Sequence, residues 1–387
     1  MSVLLRRDVL KLLASAALAP MMLTAGCRSQ TDPWGMADVI RARIKLPDIP
    51  PRDFVITDFG AVGDGQADCT DAIADAIAAA RASGGGRIVV PPGNYLTGPV
   101  HLEDRTNLHV QKDATLSFIP EPQRYLPEVF TRWEGLEFMG YSPLIYAFGK
   151  TDVAITGEGT LNGGADKTNW WPWKGKWKGK FEEAEFTQQK ARDQLLADAE
   201  AGVPPEDRHY SDGAFLRPPF IQTYNCRNVL VEGVTITQSP FWLINPVLCT
   251  SVTVRGVTCN SFGPNNDGCD PESSKDVLIE NCVFDTGDDC IAIKSGRNAD
   301  GRRVGVPSEN IIVSNCEMKA GHGGVVMGSE LSGGIKNVFA ENCRMSSPDL
   351  ERGIRIKTNA MRGGGVENLN VRNIEVGNVR DLFVINF

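Results

Sequence analysis

From residue 228 onward, short apolar runs recur between glycine, asparagine and aspartate. Asn228-Val229-Leu230-Val231, Ser251-Val252-Thr253-Val254, Asp276-Val277-Leu278-Ile279, Asn310-Ile311-Ile312-Val313, Asn337-Val338-Phe339-Ala340 and Asn368-Leu369-Asn370-Val371 share one form. A polar or small residue opens each run, and most runs reach an Asn-Cys or Thr-Cys pair. The runs start 23, 25, 34, 27 and 31 residues apart. β-Branched runs at that spacing, punctuated by turn formers, predict a solenoid of strands. The uneven step favours a β-helix with variable loops over a fixed-length repeat of helices.

Upstream, Arg87 to Gly93 predicts the first strand and its turn, and Asn107 to Ala114 and Asp152 to Leu161 predict further rungs. Ile73, Ala76, Ile77 and Ala80 share one face of a helix predicted over Asp71 to Ser83, with Thr70 or Asp68 capping its start and Gly84 its end. Such a helix would cover the first rung, whose backbone edge is otherwise open. Gly84-Gly85-Gly86 follows the helix rather than preceding it, which excludes a phosphate-cradling loop. The period breaks from about 165 to 217, an insertion holding Trp170, Trp171, Trp173 and Trp177 and a helical run from Phe181 to Ala199. Residues 28–50 read as a polar tether, and 51–387 as the β-helix. The closing strand, Leu382 to Phe387, leaves an edge that implies missing C-terminal rungs and poor solubility.

Chemistry concentrates between Pro264 and Lys357. Asn265-Asn266-Asp267, Gly287-Asp288-Asp289, Gly321-His322-Gly323 and Arg355-Ile356-Lys357 follow successive rungs. Asp288 and His322 each lie six residues past their rung's cysteine, Cys282 and Cys316. Rungs stack about 4.8 Å apart, so the whole set spans about 14 Å. Any one cluster alone is weak, since Gly-Asp-Asp is most often a turn. In order and at rung spacing they imply one groove.

Crowded carboxylates cannot all ionise cheaply, so one holds a proton near neutral pH. Neighbouring strand residues face opposite ways, so Asp288 and Asp289 can share the groove only if the backbone bends, a freedom expected of Gly287. Arg355 and Lys357, two apart, share a strand face.

The net charge of −8 argues against nucleic acid, yet residues 294–362 carry eleven Lys/Arg against seven Asp/Glu. Four histidines and no Cys-x-x-Cys pair leave no metal site in this reading, and no cofactor is expected. Cys259, Cys282, Cys316 and Cys343 are expected at equivalent rung positions, stacked as small apolar residues. At the N-terminus, Arg6-Arg7 and an apolar run from Val9 to Leu23 read as an export signal. Leu23-Thr24-Ala25-Gly26-Cys27 resembles a lipobox with Cys27 as the lipidated residue; the alternative is ordinary cleavage near Ala19. The expectation is an exported protein, periplasmic or on the outer membrane, touching the membrane only through that lipid.

The four clusters resemble glycoside hydrolase family 28, the polygalacturonases, which carry Asn-Thr-Asp, Gly-Asp-Asp, Gly-His-Gly and Arg-Ile-Lys in this order. Asn266 stands where Thr is usual. The resemblance implies a right-handed parallel β-helix, a monomer acting on pectic polysaccharide or oligogalacturonides, and inverting hydrolysis of α-1,4-galacturonosyl bonds. It assigns Asp288 as the acid, Asp267 and Asp289 as the residues orienting water, and His322 as the group tuning the acid's protonation. Arg355, Lys357 and Asn265 would bind substrate. Stacked rungs lie nearer the retaining separation than the inverting one, so inversion rests on the family alone. Trp170, Trp171 and Trp173 either form a wall stacking a sugar ring or anchor the insertion. Gly323 to Glu330 resembles exo-acting bacterial members and the Trp-rich insertion could close the groove, which favours exo over endo cleavage. The His322 and Arg355-Ile356-Lys357 motifs resemble those of galacturonate-cutting members, which disfavours rhamnogalacturonan hydrolysis. A polysaccharide lyase and a non-catalytic binding β-helix are the readings from other classes.

Overall fold

The computed structural model describes residues 32–177 and 186–387. The export signal, Cys27 and the start of the insertion's helical run lie outside those residues.

Strands stack in parallel into three sheets, the right-handed parallel β-helix expected. The first sheet and the second each have ten strands. The third is two four-stranded sheets joined through bridges at Cys269 and Glu272. Register follows the sequence pattern closely: Val229, Val252, Val277, Ile311, Val338 and Leu369 form one continuous ladder. The strand Thr151–Gly157 pairs directly with Arg227–Glu232, so the insertion leaves one ordinary rung.

The punctuation has a conformational cause. Asn310 and its equivalents Asn228, Ser251, Asp276, Asn337 and Asn368 all have φ between 55 and 63°. Asn281, Asn315, Asn342 and Asn373, each beside the turn from the first sheet to the second, are left-handed too. Asparagine tolerates that conformation better than other side-chain-bearing residues. Its amide then bonds the rung below: Asn310 Nδ2 donates to Asp276 Oδ1 at 2.9 Å, and Asn337 Nδ2 to Asn310 Oδ1 at 3.0 Å.

Cys282, Cys316 and Cys343 stack inside that turn, buried and free. Cys259 does not join them: it pairs with Ile236 and Phe284 within the second sheet, two residues further on. Its Thr258 neighbour is a strand residue and not the left-handed turn residue that Asn supplies elsewhere.

Helix α1 (Pro33–Arg43) corrects the tether expected over 28–50. Asp32 caps it, accepting from Trp34 N, with Pro33 at its first turn. Trp34, Ala37, Ile40 and Ile44 recur at helical spacing and pack on Leu278, Ile312 and Phe339 of the first sheet. Arg41 reaches Glu341 at 2.9 Å, and Arg43 pairs with Asp276. Helix α2 (Thr70–Ala82) is the expected lid, burying Ile73, Ala76, Ile77 and Ala80, with Asp68 Oδ1 accepting from Thr70 N.

Helices α3 (Gln189–Glu200) and α4 (Asn298–Val304) lie on the outer side of the third sheet with an antiparallel hairpin, Val129–Trp133 and Leu136–Gly140. Trp133, Leu136, Phe138, Leu195, Ala199, Leu216, Phe241 and Trp242 form a second core there. The hairpin's Glu134 joins both helices' ends, 2.8 Å from Arg192 and 2.6 Å from Arg297.

Candidate active site

The site forms where the second sheet turns into the third. Asp267 follows the strand Thr258–Ser261, Asp288 and Asp289 follow Val283–Thr286, and His322 follows Glu317–Ala320. Lys357 ends the third-sheet strand Arg352–Lys357. One oxygen each of Asp267, Asp288 and Asp289 lie within 4.8 Å of one another.

The opposite-face difficulty dissolves because Asp288 and Asp289 sit in the turn between strands. Gly287 does not have the left-handed conformation expected of a hinge there. It is needed for close approach: a Cβ would meet the Gly263 carbonyl oxygen at 2.4 Å. Asn266 fixes the first motif from below. Its Nδ2 donates to the Ser239 and Phe241 carbonyls, while its Oδ1 accepts from Ser261 Oγ and Gly263 N. Asn265 has φ 56° and accepts at Oδ1 from Arg217, whose guanidinium also donates to the Pro240 and Pro264 carbonyls.

Each carboxylate has a different environment. Asp289 Oδ2 accepts from Lys357 Nζ at 2.7 Å. Asp288 Oδ1 meets His322 Nδ1 at 2.8 Å. Burial pushes the Asp288 carboxyl up, but the His322 hydrogen bond and charge, with Lys357 and Lys294, outweigh it and hold the group below the usual range. Asp267 goes the other way. Burial raises it well above that range, Asp270 and Asp288 add repulsion, and Lys294 opposes them in part. Crowding therefore favours a proton on Asp267 over one on Asp288, whose carboxylate has the imidazole beside it. Asp267 Oδ1 and Asp289 Oδ1 are buried and have no hydrogen-bond partner among the described residues, so they are open to a water.

Arg355 stands on the third-sheet row that contains Val326 and Val384, with Nε 3.2 Å from Asn386 Oδ1. It remains half-exposed and able to meet an anion. The three tryptophans divide. Trp170 is buried against Tyr125, Tyr141 and Trp173, which makes it an anchor and not a wall. Trp173 packs on Tyr141 and Phe215. Trp171 donates Nε1 to the Ser239 carbonyl and lines a surface cavity with Phe262.

Sequence reasoning missed Asp270, Lys294, Glu330 and Arg217, all buried close to these groups. A signal existed: Lys294 closes the wholly apolar run Ile291-Ala292-Ile293, and Asp270 lies three residues past Asp267.

Two family models match: glycosyl hydrolases family 28 over residues 209–387, and the rhamnogalacturonase A/epimerase, pectate lyase-like family over 54–109. The structure is similar to that of a hyperthermoactive exopolygalacturonase from Thermotoga maritima. The TM-score is 0.86 and identity 48%, covering 92% of this chain and 80% of that one. The chain belongs to glycosyl hydrolase family 28.

Other family relatives are more distant. A probable polygalacturonase from Vitis vinifera is 29% identical over 85% of this chain and 61% of its own. An exo-poly-alpha-D-galacturonosidase from Dickeya chrysanthemi is 28% identical over 87% and 57%. The chain thus spans about three-fifths of the length of these curated relatives.

Proposed function

We propose that this family 28 chain hydrolyses α-1,4-galacturonosyl linkages of polygalacturonate from one end of the polymer, inverting the anomeric centre. The observation that carries the proposal is the convergence of three aspartates with His322 on Asp288 and Lys357 on Asp289. A binding module has no use for buried, mutually repelling carboxylates. A cation pair set beside them suits a uronate carboxylate.

In this reading the His322–Asp288 pair shares one proton. A bound uronate adds negative charge beside the pair and excludes water, both of which favour the neutral acid. Asp288 then protonates the leaving oxygen, and His322 recovers a proton from solvent. A water held by the open oxygens of Asp267 and Asp289 attacks the anomeric carbon from the opposite face and loses its proton to one of them. Arg355 and Lys357 orient the sugar through its carboxylate, and Asn265 fixes a hydroxyl.

The exo preference rests on the hairpin and helix α3, which pack on Phe241 and Trp242 in the rung before Asp267. Thr131 Oγ1 donates to Gln222 Oε1 at 2.6 Å, and Gln222 bonds Asn245 at 2.8 Å, which ties the hairpin to the third sheet and supports a groove closed on that side. Size analysis of products from polygalacturonate tests this. Monomer released alone from the outset supports exo action, whereas a ladder of oligomers refutes it. Export, with Cys27 carrying the lipid, belongs to the same proposal, since the polymer is extracellular.

A further inference from the structure

Beneath the three aspartates lies a layer of buried charge that the proposed steps do not use. Lys294 is its centre, with Nζ 3.5 Å from Asp267 Oδ2 and 3.5 Å from Glu330 Oε2. The ammonium lies 4.5 Å over the Trp242 ring, a face that stabilises a desolvated cation and fixes its position. Lys294 is 2% exposed. Neighbouring carboxylates are matched elsewhere: Asp289 to Lys357, Asp288 to His322, and Glu272 to Arg132 at 3.5 Å. Asp270, fully buried, has neither oxygen hydrogen-bonded among the described residues. One ammonium thus pairs with both Asp267 and Glu330 and lies close enough to Asp270 to act on it by charge.

We propose that Lys294 is a positioning residue that fixes Asp267 and, in competition with Glu330, sets the pH range in which Asp267 is an anion able to take a proton from the attacking water. This inference rests on the role given to Asp267 above.

The charges facing the pair come from every packed element. Asp270, Asp288, Asp289 and Lys357 face Asp267, and these four, with Glu272, also face Lys294. Burial works against Glu330, yet Lys294, Arg297, Lys357 and Arg362 hold its carboxyl down at about 2, so it stays a permanent anion. Removing Lys294 takes away the ammonium that offsets burial at Asp267, so the proton binds more tightly. Removing the Glu330 charge leaves Lys294 freer for Asp267, so the proton binds less tightly. The two variants move Asp267 in opposite directions, which a merely structural role does not do.

Titration of protein carrying 13C-labelled aspartate carboxyls reads this directly. The Asp267 signal is assigned by its loss in Asp267→Asn. Lys294→Met should raise its midpoint by about one pH unit or more, at least tenfold in proton affinity. Glu330→Gln, nearly isosteric, should lower it, and Lys294→Arg should hold it near the wild-type value. On polygalacturonate, the acid limb of kcat/KM should follow the same order. An unchanged midpoint in Lys294→Met, or an upward shift in Glu330→Gln, overturns the proposal. Should Lys294→Met fail to fold, Glu330→Gln alone decides it. The titration needs no substrate, so failure to cleave polygalacturonate would be seen separately.

Discussion

Asp288 and Asp267 are neighbours in space whose proton affinities shift in opposite directions: His322, with Lys357 and Lys294, outweighs burial at Asp288, while burial beside Asp270 prevails at Asp267. Asp288→Asn should therefore lower kcat by about 10²–10⁴-fold, and because it removes a carboxylate whose folded proton affinity is lowered, it should lower the melting temperature more at pH 7 than at pH 3.5. Asp267 makes a separate prediction about stability. Its folded proton affinity is raised, so its stability contribution is full below the unfolded value near 4 and is lost as pH rises toward the folded one. Asp267→Asn should remove that loss. It should raise the melting temperature at pH 8 by about 2 °C for each kcal/mol recovered and leave it unchanged at pH 3.5, while abolishing activity. Thermal scans at the two pH values check it. The four motifs were legible because short ordered signatures survive in sequence. The proton's location was not, because it depends on Asp270 and Lys294, whose proximity only the coiling reveals.

At the level of elements, the asparagines tie local conformation to stacking. Asn310 has φ 63° and bonds rungs on both sides. Asn310→Ala should cost about 2 kcal/mol, from left-handed strain of roughly 1–2 kcal/mol and about 1 kcal/mol of hydrogen bonding. Asn310→Gly, free of the strain, should cost less; urea midpoints of the two variants decide. Helix α1 acts as a strap. Ile40 is buried against the first sheet, so Ile40→Ala should loosen it by about 2 kcal/mol or more. Trypsin should then cut after Arg41 and Arg43 faster than in wild type while the β-helix resists. The strap escaped the sequence reading because its stripe is short and mixed with Gly35, Asp38 and two arginines. The lid α2 did not, since four small apolar residues recur on one face without interruption. The hairpin at Val129–Gly140 was missed because it interrupts the ladder without the asparagine turns that mark rungs.

For the molecule as a whole, strand register in the first sheet was legible to the residue, because each apolar run must face one shared interior and a one-residue slip would expose it. Loop excursions obey no such constraint, and three of them, the hairpin and helices α3 and α4, meet at Glu134. The strand Asp381–Asn386 presents Leu382, Phe383 and Ile385 to solvent, each about half exposed or more. If Cys27 carries the lipid, Cys27→Ser should move the protein from the membrane fraction to the soluble one.

The central claim is that stacked rungs bring an acid and a water-directing carboxylate to opposite sides of one uronate bond. Proton NMR of trigalacturonate during the first turnovers tests it most directly. β-Galacturonate monomer should appear first and mutarotate afterwards, with no unsaturated product. Initial release of the α-anomer, or an ultraviolet-absorbing 4,5-unsaturated uronate, would contradict it.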